Sequence, residues 1–297
     1  MQVFEKLPLT SNTRKPRWLK MKMPGAGGFA HVSAVLGRRG LHTVCDEARC
    51  PNKGECWADG TATIMIAGDA CTRACAFCGV RTTGAPEPLD ATEPTRVAAG
   101  VSELGLKYVV LTSVDRDDLP DGGAAHFAGV IREIKKTCAG VRVEALVPDF
   151  GAREDCIRLV LEAGLDVYAH NIETVERLQG VVRDPRASFA CSLRALQTAS
   201  GISGGRAQQA CAVKSGLMVG FGETYDEIRA ALRSLHASGA GIVTVGQYLQ
   251  PAPECLVVKK YYEPAEFELI RQWALEAGIE RVFSGPLVRS SYRAAHS

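Results

Sequence analysis

The chain has 297 residues, 46% of them hydrophobic and 23% charged, with a formal net charge of +2. A near-neutral balance gives no electrostatic reason to expect nucleic acid or an anionic membrane as partner, and no apolar run reaches the roughly 18 residues of a membrane span. The start, "MQVFEKLPLTSNTRKPRWLKMKM", has basic residues but no apolar signal-peptide core. Eleven cysteines, an odd number, without a secretion signal point away from a disulfide framework and toward metal or redox chemistry.

In chain order, the first 60 or so residues show little regular period and read as an extended segment that must lie on something else. From Thr63 a beat sets in. "ATIMIAGD", "KYVVLTSV", "VRVEALVPD", "LDVYAHNIE", "CAVKSGLMVGFG" and "GIVTVGQYLQ" are short β-rich runs. Between and after them, helical spacing covers Thr95–Leu104, Ala124–Cys138, Arg153–Ala163, Phe189–Ala199, Tyr225–Ala237 and Pro264–Ala277. Strands alternating with helices predict right-handed crossovers and a parallel sheet. The fold class is α/β: a partial (β/α)6 barrel related to the TIM barrel, preceded by an N-terminal extension. The expected divisions are 1–60, 61–280 and 281–297. "TASGISGGRAQQA" (198–210) reads as an exposed loop, and "GFGE" (220–223) as a strand-to-helix turn rather than a phosphate loop.

Six cysteines fall within residues 45–78. Cys71, Cys75 and Cys78 follow the first strand, at the end of a parallel sheet where ligands gather. Three thiolates on a tight loop can hold three corners of a cubic iron–sulfur cluster and leave one iron open. Zinc, or a cluster closed by a distant cysteine, stays open on spacing alone. Cys45, Cys50 and Cys56 have no zinc-finger spacing and again supply three thiolates. Cys138, Cys156, Cys191, Cys211 and Cys255 fit no ligand spacing and read as small apolar residues.

"CTRACAFC" resembles the signature of the radical S-adenosylmethionine (SAM) superfamily, in which the open iron chelates the amino and carboxylate groups of SAM. "CDEARCPNKGECW", "LTSVDRDDLPDGGAAHF", "HNIETVERL", "KSGLMVGFGET", "GQYLQP" and "SGPLVRSSYRA" narrow the resemblance to the lipoyl synthase family. It implies two 4Fe-4S clusters and SAM as cofactors. One cluster would sit on Cys71, Cys75 and Cys78. An auxiliary one, the sulfur source, would sit on Cys45, Cys50, Cys56 and Ser291. The activity implied is insertion of sulfur at C6 and C8 of a protein-bound octanoyl chain; the alternative is another two-cluster radical SAM enzyme. The resemblance also makes Ser113, Asp115, His170, Asn171 and Lys214 candidates around SAM, with Glu173 and Ser215 beside them. Arg289 is placed near either ligand. Implied partners are octanoylated lipoyl carrier domains (2-oxoacid dehydrogenase E2 subunits and the glycine cleavage H protein), an electron donor and iron–sulfur assembly or carrier proteins. The basic segment with Lys15, Arg17, Lys20 and Lys22 would be a landing patch for an acidic carrier. The expected compartment is cytoplasmic, or a mitochondrial or plastid matrix if a transit peptide is missing. Two departures from the family pattern are Glu254 and Cys255, where basic and His residues are usual, and the length of the 202–210 stretch.

Overall fold

The computed structural model describes residues 15–19, 26–47, 50, 52–58, 63–204, 211–291 and 294. Lys20, Lys22 and residues 205–210 of the expected 198–210 loop lie outside them, and the first part of that stretch, to Ile202, is helical rather than loop. An N-terminal layer holds α1 (Ala26–Arg39), β1 (His42–Thr43), α2 (Val44–Glu47) and α3 (Lys53–Ala58). The barrel begins with β2 (Thr63–Ile66), followed by the short parallel pair β3 (Ala70–Cys71) and β4 (Arg81–Thr82). Then come α4 (Glu93–Glu103), β5 (Tyr108–Ser113), α5 (Ala124–Thr137), β6 (Arg142–Leu146), α6 (Glu154–Leu161), β7 (Val167–Ala169), α7 (Gln179–Val182) and α8 (Phe189–Ile202). The chain continues through β8 (Ala212–Val219), α9 (Tyr225–Ala237), β9 (Ile242–Gln247), α10 (Pro264–Glu276) and β10 (Arg281–Gly285).

The main sheet has the order β1-β2-β5-β6-β7-β8-β9-β10. Only β1 is antiparallel; every later neighbour pairs in parallel, as β/α crossovers require. All six predicted strand–helix pairs are present. The seventh parallel strand, β10, was not expected. Its apolar content is only Val282 and Phe283, and it is half-exposed at the sheet edge, so it lacks the apolar run that marks the other strands.

Side chains alternate along each strand. Val109 and Leu111 of β5 enter the main core beneath the helices, whereas Tyr108 and Val110 pack with Ala294 on the inner face. The helices start where local chemistry satisfies their free N–H groups. Ser188 caps α8 by accepting from the Cys191 N–H, Thr224 and Glu227 form a capping box on α9, and Glu263 precedes Pro264 at α10. Cys138, Cys156, Cys191, Cys211 and Cys255 are buried, as expected of apolar fillers. Among the described residues no helix is long and apolar enough to cross a membrane.

Candidate active site

The loop after β2 carries the first triplet to the carboxyl end of the sheet. Thr72 N–H donates to the Asp115 carbonyl at 3.0 Å and Thr83 N–H to the Cys71 carbonyl at 2.9 Å, tying the loop to β5 and to itself. Cys78 N–H closes a turn on the Cys75 carbonyl at 3.0 Å. The Cys71 Sγ accepts from the N–H groups of Arg73 (3.4 Å) and Asp115 (3.3 Å), and the Cys75 Sγ from that of Asp184 (3.3 Å). Burial pushes Cys71 up to about 11 and Cys78 up to about 12, and raises Cys75 as well. As bare thiols these groups hold their protons; only a positively charged centre would keep them as thiolates.

A buried ion network braces this loop. Arg73, inside the motif, is 7% exposed and donates to Asp149 at 2.6 Å and to Asp117 at 2.8 Å. Burial would raise Asp149, but the Arg73 hydrogen bonds bring it down to about 2. Asp115 lies 3.4 Å from Arg73 and is pushed up to about 6, chiefly by burial. Asp184 accepts the Ala74 N–H at 2.8 Å and is itself held by Arg186, whose hydrogen bonds keep its carboxyl below the ordinary range.

The second triplet wraps a small core of Val32, Leu36, Cys45 and Trp57, against which Cys50 and Cys56 pack. Cys50 N–H donates to the Cys45 carbonyl and Cys56 N–H to that of Asn52. The Asn52 side chain reaches across to the Leu287 carbonyl at 2.6 Å. Half-buried Arg289 lies close enough for its charge to act on Cys50. The same C-terminal segment is fastened to the barrel. Ser290 Oγ accepts from Asn171 Nδ2 at 2.7 Å, and a Cβ on Gly246 would lie 2.1 Å from the Val288 carbonyl oxygen. Ser291, half-buried, follows directly. No three His, Cys, Asp or Glu side chains among the described residues converge on one metal-ion position. A cluster, with a separate iron for each thiolate, suits such a donor set better than a single zinc ion.

Residues 65–235 match the family model of the radical SAM superfamily, and residues 3–50 that of the N-terminal domain of lipoyl synthase. Over 287 residues the chain is 49% identical to the lipoyl synthase of Thermus thermophilus, spanning 97% of this chain and 87% of that protein. The chain belongs to the lipoyl synthase family. The mitochondrial lipoyl synthase of Neurospora crassa is 51% identical over 293 residues, 96% of this chain and 67% of that one. Among solved structures, methylornithine synthase superposes with a TM-score of 0.55 over 86% of this chain and 77% of its own, at 16% identity, which shows the shared fold. Membership of the lipoyl synthase family brings SAM and 4Fe-4S clusters as cofactors, with the N-terminal domain marking the auxiliary one.

Within this family frame, some residues singled out from the sequence meet at the site and others do not. Asp115 touches the Cys71 loop, and Asn171 meets the C-terminal segment. Ser113 ends β5 beside Ile66, with no side-chain role assigned. His170 is corrected to a structural residue. Its Nδ1 is bonded to the Val147 carbonyl (2.8 Å) and its Nε2 to Ser192 Oγ (2.9 Å), leaving no ring nitrogen for a ligand. Burial holds it neutral, down to about 4. Lys214 is corrected likewise: 1% exposed, it is spent on Glu144 at 2.9 and 3.1 Å, with Tyr108 also donating to Glu144 at 2.5 Å. Sequence reasoning missed Asn52, Arg73, Asp149 and Gly246. Asn52 and Arg73 lie inside the two cysteine motifs; Asp149 and Gly246 carry no motif of their own.

Proposed function

We propose that this chain makes the lipoyl group, inserting sulfur at C6 and C8 of an octanoyl chain held on a lipoyl carrier protein. The observation that supports this is the C-terminal segment: Leu287 accepts from Asn52, which lies between Cys50 and Cys56, and Ser290 accepts from Asn171 of the barrel, so the segment bearing Ser291 runs between the second triplet and the barrel. Cys71, Cys75 and Cys78 would hold the SAM-binding cluster, and Cys45, Cys50, Cys56 and Ser291 the auxiliary one. When bound, the first supplies the electron that splits SAM for hydrogen abstraction and the second supplies sulfur, chemistry beyond any side chain.

The chain's own residues do the rest. The N–H groups of Arg73, Asp115 and Asp184 point at sulfur and favour the charged thiolates. Arg73 bridges Asp149 and Asp117, so the loop keeps one shape while a ligand exchanges on the open iron. The Cys45, Trp57 and Phe29 side chains keep water from one side of the second triplet. Ser291 would offer a hard oxygen donor to a soft iron–sulfur centre, a weaker match than a fourth thiolate. The divisions 1–60, 61–280 and 281–297 would then carry the second triplet, the SAM chemistry and the closing serine. The carriers would be 2-oxoacid dehydrogenase E2 subunits and the glycine cleavage H protein, with an electron donor and an iron–sulfur carrier as further partners, in the cytoplasm.

Iron and sulfide analysis after anaerobic reconstitution tests the assignment. Wild type should hold about eight of each, and the Cys45→Ala/Cys50→Ala/Cys56→Ala variant about four with SAM cleavage retained. Zinc in place of iron, or an unchanged count in the variant, would refute it. Thiolated octanoyl-peptide, detected by mass, identifies the reaction.

A further inference from the structure

Trp57 is 2% exposed and shares a small core with Cys45, against which Cys50 and Cys56 pack. Its Nε1–H is fully enclosed, yet among the described residues it meets no acceptor in hydrogen-bond geometry. A buried indole ordinarily finds a partner for that hydrogen, and leaving the bond unmade costs the full desolvation of the group. The sulfur it acts on is that of Cys45: burial pushes this thiol up, while the Thr63 N–H and the Trp57 indole favour the thiolate. A neutral thiol is a weak acceptor and a thiolate a good one, so the orphan donor fits the charged sulfur of a metal-bound cysteine.

A cation reinforces this donor. Lys53, one helical turn before Trp57 on α3, sets its ammonium 4.2 Å from the centre of the indole ring and 5.6 Å from that of Phe29. Asp46, the residue after Cys45, pairs with the same ammonium, and the Phe29 ring packs beside the indole with its centre 5.0 Å away. A positive charge on the π face draws electron density from the ring and makes the N–H a stronger donor. Cys45 is also the buried member of its triplet, with Cys50 and Cys56 half-buried. The donor therefore serves the ligand that water reaches least, where a hydrogen bond is electrostatically strongest.

We propose that Trp57 is a positioning residue of the auxiliary centre: its indole N–H donates to the Cys45 thiolate and makes that centre easier to reduce. The assignment rests on the auxiliary-cluster reading of the second triplet and adds to it a residue that is not a ligand. Hydrogen bonds to ligand sulfur help set the potential of an iron–sulfur centre, because they offset the negative charge that an added electron brings. Sulfur transfer needs such an electron to be taken up. A carbon radical brings one electron to a sulfide lone pair; two of the three form the C–S bond and the third turns one ferric iron ferrous. Trp57, backed by Lys53, favours that uptake from the Cys45 side.

The test uses the full chain, anaerobically reconstituted, with tryptophan labelled by nitrogen-15 at the indole. A Cys71→Ala/Cys75→Ala/Cys78→Ala background isolates the auxiliary signal. Its reduced centre should show a nitrogen-15 hyperfine coupling that vanishes in W57F. The midpoint potential should move to a more negative value in W57F, and by less in K53M, with iron content unchanged. In the chain with both triplets intact, W57F should lower thiolated octanoyl-peptide about 10-fold and leave SAM cleavage within about 3-fold. No coupling in the background protein, an unchanged or more positive potential in W57F, or equal loss of cleavage and thiolation overturns the proposal. Should W57F load no iron, the coupling and the K53M shift decide, and absence of either overturns it. A coupling present while wild type leaves octanoyl-peptide unthiolated would end the lipoyl reading and leave the hydrogen bond standing. A second triplet that holds no iron would overturn both.

Discussion

Replacing Lys214 by Met separates a structural role from a ligand-binding one. Lys214 and Glu144 are 1% and 0% exposed, and the ammonium lies 2.9 Å from the carboxylate on the inner face of the sheet. Removing the ammonium leaves Glu144 buried, with the Tyr108 hydroxyl still donating to it. Breaking one side of a buried pair costs about 3–5 kcal/mol. With an unfolding entropy of about 2 cal/mol/K per residue, roughly 0.6 kcal/mol/K for the whole chain, the melting temperature should fall by about 5–8 °C. Removing both charges, in K214M/E144M, should recover most of that loss, because hydrophobic replacement of a buried pair is often neutral or stabilising. The assay is anaerobic thermal unfolding of the reconstituted protein, followed by SAM affinity. K214M should unfold earlier and bind SAM normally. A variant with wild-type stability and SAM affinity lowered more than about 10-fold would refute the reasoning and return Lys214 to the site.

Gly246→Ala should push the Val288 carbonyl, a backbone atom only 2.1 Å from the new Cβ, and with it the segment bearing Ser291; thiolation should fall more than about 10-fold with SAM cleavage retained, and equal loss of both would count against it. His170, held down to about 4 from its usual 6.5 by burial, binds fewer protons folded than unfolded between those values. Stability should therefore decline as pH falls through that window, by about 3 kcal/mol in full, and H170Q should flatten the decline in urea midpoints measured from pH 7 to pH 5. Arg73→Met strips Asp149 of its cation; iron bound by the Cys71 loop should drop while the other cluster loads, and full loading of both would show that the network is dispensable.

The parallel sheet was legible because six β-rich, largely apolar runs alternate with helical spacing, and β10 escaped because an edge strand with two apolar residues leaves no such trace. The two cysteine triplets were legible as spacing. His170 and Lys214 were drawn to the site for different reasons, one of face and one of depth along its strand. Asn171 bonds to the C-terminal segment over the mouth, so His170, one residue earlier, points to the opposite face and meets Ser192 of α8. Lys214 sits near the start of β8, paired with Ala169 and Ile242, deep inside rather than at the carboxyl ends where ligands gather.

The C-terminal segment also makes the second cluster a late event in folding. Asn52 and Leu287 are 235 positions apart, and Asn171 and Ser290 are 119 apart. Contacts of such separation form only after the intervening chain has been ordered, here every strand from β2 to β10. Cys45, Cys50 and Cys56 come together locally through the turns of α2 and α3. Ser291 arrives only when β9 and β10 have placed Val288 against Gly246. The turns that carry the three cysteines can thus form before the barrel closes, whereas the segment bearing Ser291 is placed only on a finished fold.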